Sequence, residues 1–289
     1  MSETSRKWAD GEDWDLVIKP HSSLLSINLA ELIRYRDLVG LLVGRDLTTL
    51  YKQTILGPIW FVVQPLITTF IFMFIFGKLA GLSTDGVPGQ LFYFSGTMIW
   101  LYFQTCLTNV SDTFAVHASL FGKVYFPRLA VPVAKVISNL AALGIQFATF
   151  AVLFAWYAIQ GKVAVTGFQL LLLPFIVLWI AALSSGFGMF ISALTGKYRD
   201  LRQVLGFGMQ LWMYATPVVY PLSVMSKKYS WIELVNPMAA PMEAWRVCLF
   251  GVGGPSALAV VISLTMTLIL FFLGLILFKR NEATFIDVA

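Results

Sequence analysis

The chain has 289 residues, of which 58% are hydrophobic and 12% charged, and its mean hydropathy is +0.79. That leaves too little polar side-chain surface to cover a water-soluble globule of this size, so lipid is the expected solvent. The formal charge of +5 does not point to nucleic acid, because the Lys and Arg residues lie between apolar runs and not in one patch.

In chain order, residues 1–27 read as a cytoplasmic tail. The acids Asp10, Glu12, Asp13 and Asp15 stand where a secretory signal would need a basic segment and an apolar run, so no cleaved signal is expected. Residues 28–54 read as an amphipathic helix lying along the membrane interface. Asn28 and Glu31 have the spacing of a capping box. At 100° per residue, Leu32, Val39, Val43 and Leu50 share one stripe, while Glu31, Arg34, Asp37, Arg45, Thr48 and Lys52 gather opposite. Arg36 and Asp46 flank the apolar stripe and each needs a protein partner or a headgroup. Whether the stripe meets lipid or the protein's own helices is left open by the pattern.

Residues 55–280 form the expected membrane domain, an all-α unit. Crossing hydrocarbon takes about 20 mostly apolar residues, because only a helix satisfies its own backbone there. Six segments qualify, at 57–76, 91–110, 136–159, 168–194, 204–220 and 257–278, and none contains Asp, Glu, Lys, Arg or His. Lys135 and Arg202 sit just outside the third and fifth. Between the fifth and sixth, residues 220–254 carry Pro221, Pro237 and Pro241 and two apolar pieces too short to span, 231–235 and 244–250. These fit short re-entrant helices in the outer half of the bilayer; a surface loop with amphipathic turns is the simpler reading. Residues 281–289 are a second cytoplasmic tail. With both termini inside, fifteen of the twenty Lys and Arg residues fall on the cytoplasmic side and five outside, which fixes the expected orientation.

Sources of work and of chemistry are scarce. Gly-Lys pairs begin at Gly77, Gly122, Gly161 and Gly196, but none has the Ser or Thr and the earlier glycine of a phosphate-binding loop. Ion-coupled carriers usually place carboxylates or histidines within the membrane, and the six segments have none, although sodium sites built of carbonyls and hydroxyls stay open. An intramembrane enzyme would need paired acids or histidines. Asp85, Glu233 and Glu243 outside, and Asp112, His117 and Asp200 inside, look scattered. Cys106 and Cys248 are far apart, without metal-ligand spacing, and read as buried inert thiols. No catalytic or metal-binding residue is therefore expected. The remaining class is a channel-forming subunit driven by another protein. Its basic inner loop with Phe121, Lys123, Tyr125, Phe126 and Arg128 suits docking on a motor, or an aromatic belt at the interface.

Four stretches carry a family resemblance. They are Arg34-Tyr35-Arg36-Asp37-Leu38 with Arg45-Asp46-Leu47 and Tyr51-Lys52-Gln53-Thr54, then Leu56-Gly57 with Trp60 and Gln64-Pro65. Further on come Lys197-Tyr198-Arg199-Asp200-Leu201-Arg202 with Gln210-Leu211-Trp212 and the run 216–221, and Asn236-Pro237 with Glu243-Ala244 and Arg246. In this order they resemble the membrane (permease) subunits of type 2 ABC transporters that export bacterial polysaccharides such as O antigen or teichoic acid. The resemblance implies a multi-pass protein of the bacterial inner membrane, a homodimer with two separate ATPase subunits that hold ATP and Mg, and no cofactor in this chain. It implies as substrate a glycan on undecaprenyl diphosphate; teichoic acid is the alternative within the family and a sodium-coupled solute carrier the alternative outside it. Because sugars stack on rings, the candidates for lining a channel are Trp60, Phe61, Tyr93, Phe94, Trp100, Tyr102, Phe103, Trp212, Tyr214 and Tyr220. By charge, Arg34, Arg36, Arg199 and Arg202 are candidates for the lipid diphosphate. The resemblance assigns Arg45, Lys52, Lys123 and Arg128 to docking of the ATPase.

Overall fold

A computed structural model of the chain describes residues 33–52, 57–114, 116, 126–164, 167–195, 200–224 and 231–286. These residues are helical, with turns and no strand among them. The helices are α1 (Arg36–Tyr51), α2 (Trp60–Phe72), α3 (Gly89–Ser111), α4 (Ala130–Ile159), α5 (Leu173–Thr195), α6 (Leu201–Ala215), α7 (Trp231–Val235), α8 (Ala239–Phe250) and α9 (Ala257–Ile286). A 3-10 turn, Gly57–Ile59, leads into α2, and a π-helical stretch, Met73–Leu79, continues it. Another 3-10 turn, Gly167–Leu172, leads into α5.

Among the described residues, four helical stretches are long and apolar enough to cross a membrane: Gly57–Leu79, Ala130–Ile159, Gly167–Thr195 and Ala257–Asn281. The other two expected spans are present as helices but differ in kind. Helix α3 has 23 residues, yet Ser95, Thr97, Gln104, Thr105 and Asn109 lower its hydropathy, and residues 91–100 are all buried. It is the central helix of the bundle, packed between α4 and α5 with α2 alongside. Helix α6 has 15 residues, about 22 Å at 1.5 Å per residue. It stops where Thr216 turns extended (φ −98°, ψ 144°) ahead of Pro217, because a residue before proline is pushed out of the helical region.

Helix α4 begins at Ala130, six residues before the expected 136. Lys135 is thus inside a spanning helix and not beside it, and its ammonium lies 2.8 Å from Asp46 of α1. That pair gives Asp46 the protein partner its position demanded. Val39 and Leu42 of α1 are buried in one cluster with Ala130, Val131 and Ala134 of α4, so this face packs on the protein itself, while Ile33 and Leu41 stay exposed. The capping pair Asn28 and Glu31, and the tail before it, lie outside the described residues.

Helix α9 lies along α5 at backbone contact. A Cβ on Gly186 would come 2.5 Å from Phe271 Cα, and one on Gly274 would collide with Gly186 O. Small residues let helices in lipid approach until dispersion and weak backbone contacts hold them. On the opposite side Gly188 presses on α3, where a Cβ would meet Leu107 O at 2.9 Å.

Candidate substrate path and docking surface

Short helices stand where the apolar pieces between the fifth and sixth segments suggested, α7 and α8. Ten of the twelve residues of α8 from Ala239 to Phe250 are buried. Its two charges meet: Glu243 and Arg246, one turn apart, form an ion pair of 3.0 Å with each side chain no more than 3% exposed. Arg246 then donates through Nη2 to Val218 O at 2.7 Å and through Nη1 to Tyr220 O at 3.2 Å. Its guanidinium also sits 4.0 Å from the Phe92 ring centroid on α3. The stretch 216–221 is not helical, so its carbonyls have lost their intrahelical donors, and Arg246 supplies replacements. Asn236 does the same one turn earlier, donating to Ala215 O at 3.0 Å and Thr216 Oγ1 at 2.9 Å while accepting from Trp212 Nε1 at 3.0 Å. Asp85 and Glu233 also have partners: Asp85 accepts from Ser223 Oγ, and Glu233 accepts from the Ser256 N–H at 2.8 Å.

The aromatic candidates divide by exposure. Tyr93, Phe94, Trp100, Tyr102 and Phe103 are buried in α3. Trp212 of α6 is half-buried and meets Trp100, Phe103 and Phe187 edge to face at 6.3, 5.2 and 5.6 Å, the geometry that ring quadrupoles favour. Ring surface offered outside this one chain belongs to Trp60 and Tyr214, each 50% exposed, and to the half-buried Phe61 and Tyr220. Tyr220 also donates its hydroxyl to Tyr214 O at 3.3 Å.

The basic candidates gather at the end of the bundle that carries α1. Arg34 is exposed, and Arg36 is exposed beside Asp37 at 3.8 Å. Arg202 pairs with Asp112 at 3.0 Å, tying the start of α6 to the end of α3. Arg45 lies 3.1 Å from Asp46, Lys52 is exposed, and Arg128 is buried. Arg199 and Lys123 lie outside the described residues. At this same end a cleft of about 450 Å³ opens between α1, α2, α3 and α4, with Gln64, Tyr102, Thr105, Asn109, Asn139 and Gln146 on its walls. A scan for charged residues passes over this set, because amides and hydroxyls carry no charge; its signal in the sequence was the recurrence of amides within apolar runs.

The profile of the ABC-2 type transporter family matches residues 37–250. Among curated proteins, the chain is 28% identical to an O-antigen export system permease protein, RfbA, of Klebsiella pneumoniae, over 87% of this chain and 95% of that protein. It is 24% identical to the protein of the same name from Myxococcus xanthus, over 89% of this chain and 97% of that one.

Proposed function

Since the chain belongs to the ABC-2 type transporter family, we propose that it is the channel-forming subunit of an ATP-driven exporter of O antigen or a similar polysaccharide. Two copies would form the channel in the bacterial inner membrane, with both termini cytoplasmic and two ATPase subunits bound at the α1 end. The substrate would be a glycan carried on undecaprenyl diphosphate. The observation that carries the reading is the near end-to-end match to permeases of O-antigen export, spanning 95% and 97% of two of them.

Six crossings go with this function. Support comes from where α3 starts and stops: Tyr157, near the end of α4, donates to Gln90 at 2.8 Å, and Thr195, the last residue of α5, donates to Ser111 O at 3.2 Å. Helix α3 thus runs the height between the ends of two spanning helices. Its polar groups are covered by those neighbours and not by lipid. Helices α7 and α8 then dip in from the far side.

Affinity purification of the tagged chain from its native membrane, followed by ATPase assay, tests the reading. An ATP-binding subunit should co-purify at equal stoichiometry, with activity lost on mutation of its phosphate-binding lysine. Deletion of the chain should strip the cell surface of one glycan. A chain that purifies alone, from cells whose deletion mutant keeps every surface glycan, would end the exporter reading.

A further inference from the structure

The cleft between α1, α2, α3 and α4 is polar where its helices are otherwise apolar. Amide side chains on spanning helices usually bond across to a neighbour, and one pair here does: Asn109 Nδ2 donates to Asn139 Oδ1 at 3.3 Å, and Asn139 reaches the Cys106 thiol at 3.5 Å. Gln146 does not. Its side chain is only 2% exposed and forms part of the cleft wall, and its amide makes no hydrogen bond among the described residues. On the facing walls the exposed amide of Gln64 and the half-buried hydroxyl of Thr105 likewise make no hydrogen bond among the described residues. The Tyr102 hydroxyl has beside it only the Cys106 thiol, a weak partner. A buried amide without a partner is costly, and these groups, two amides and a hydroxyl on facing helices, offer donors and acceptors to one ligand.

The chemistry of that ligand follows from the wall. Of the cleft lining only Lys135 and Asp46 are charged, and they pair at 2.8 Å at its mouth, where Arg45 also lies 3.1 Å from Asp46; the walls beyond are neutral, so they do not hold an anion by charge. Each free amide offers a donor and an acceptor side by side, a match for neighbouring hydroxyls. The rings of Phe61 and Tyr102 supply apolar faces on the same cleft. Its volume of about 450 Å³ lies in the range of roughly 300–1,000 Å³ of small-molecule sites. We infer that this cleft binds a neutral sugar ring through Gln64, Thr105 and Gln146. The inference rests on the exporter reading for its biological sense, since there the ring would be one residue of the glycan. The same hydroxyl chemistry is offered by the headgroup of a membrane glycolipid.

The test uses the full chain in phosphatidylethanolamine nanodiscs, free of sugar-headed detergent. An Ala142→Cys variant, which puts a cysteine on the cleft wall outside the three binding residues, reports occupancy by its rate of maleimide alkylation, since both native cysteines are buried. The probes are methyl glycosides of glucose, galactose, mannose and rhamnose in solution, and monoglucosyl diacylglycerol in the bilayer. At least one should slow alkylation in a saturable way. Adding Gln146→Leu or Gln64→Leu should raise the concentration needed by about fivefold or more, the loss of about one hydrogen bond. Gln64 is exposed, so its variant keeps the test open even where the buried Gln146→Leu chain misfolds. Protection by a soluble glycoside assigns the cleft to the glycan; protection by the glycolipid alone assigns it to a lipid headgroup. Full-rate alkylation with every probe, or equal protection in parent and Gln64→Leu, overturns the site. An ATPase that co-purifies while no probe protects would remove the sugar site and keep the exporter; the reverse result would remove the exporter and keep the site.

Discussion

Arg246 shows how much of a protein's organisation one buried charge can hold. Its guanidinium is attached at once to the Glu243 carboxylate, to two carbonyls of the broken segment 216–221 and to the Phe92 ring. Removing it leaves Glu243 charged, buried and alone, a change that typically costs about 3–5 kcal/mol. We therefore expect Arg246→Leu to unfold well below the parent chain in a detergent thermal melt. The double variant Glu243→Leu with Arg246→Leu should recover part of that loss, since it removes the stranded charge as well. Equal melting of single and double variants would mean that the carbonyl contacts, and not the pair, hold this region. The i, i+3 spacing of the two residues was visible in the sequence. What was not visible is that α8 is buried on nearly all sides, because its composition is that of an ordinary amphipathic turn and only its neighbours decide its exposure.

At the scale of elements, the α5–α9 contact is set by glycine. Gly186 and Gly274 permit backbones to touch, whereas Gly144 of α4 has nothing within 4 Å of where a Cβ would stand. Gly186→Ala should therefore force α5 and α9 apart and lower the melting temperature. Gly144→Ala should be neutral or slightly stabilising, since a helix gains up to about 1 kcal/mol when Ala replaces Gly. Similar losses from both would place the effect in helix propensity or in a second copy's contact, and not in this packing. The helices themselves were largely legible: each of the six apolar runs contains a helix. Their ends were less so, and for two different reasons. Lys135 stops an apolar count but not a helix, because Asp46 neutralises it at 2.8 Å. Val218, Val219 and Tyr220 continue an apolar count but not a helix, because Pro217 has already ended α6. Among the candidate sites, the exposed rings and basic side chains on α1 could be named from residue type. The free amides of the cleft could not, since their meaning depends on three helices meeting.

For the whole molecule, the question that orders all others is how many times the chain crosses. Counting only the stretches among the described residues that are both long and apolar gives four spans; adding α3 and α6 gives six. The two arrangements part company at the turn after α4. With six crossings, Gly161 lies on the same side as Gly81, opposite the N-terminus, and Lys52 lies with the N-terminus. With four, α3 does not cross, so Gly161 falls on the opposite side from Gly81 and shares a side with Lys52. Gly81, Gly161 and Lys52 are all exposed and Cys106 and Cys248 are buried, so single cysteines at these three positions can be read against a silent background. Gly81 and Gly161 both have positive φ, +65° and +70°, so cysteines at their neighbours Ala80 and Gln160, exposed as well, avoid strain and report the same sides. In intact spheroplasts an impermeant maleimide should label Ala80→Cys and Gln160→Cys and spare Lys52→Cys, which should react only after the membrane is opened. Labelling at 80 without labelling at 160 would mean four crossings. In that case the buried polar face of α3 would not cross the bilayer, and the sugar-binding cleft on its wall would need another route to its ligand.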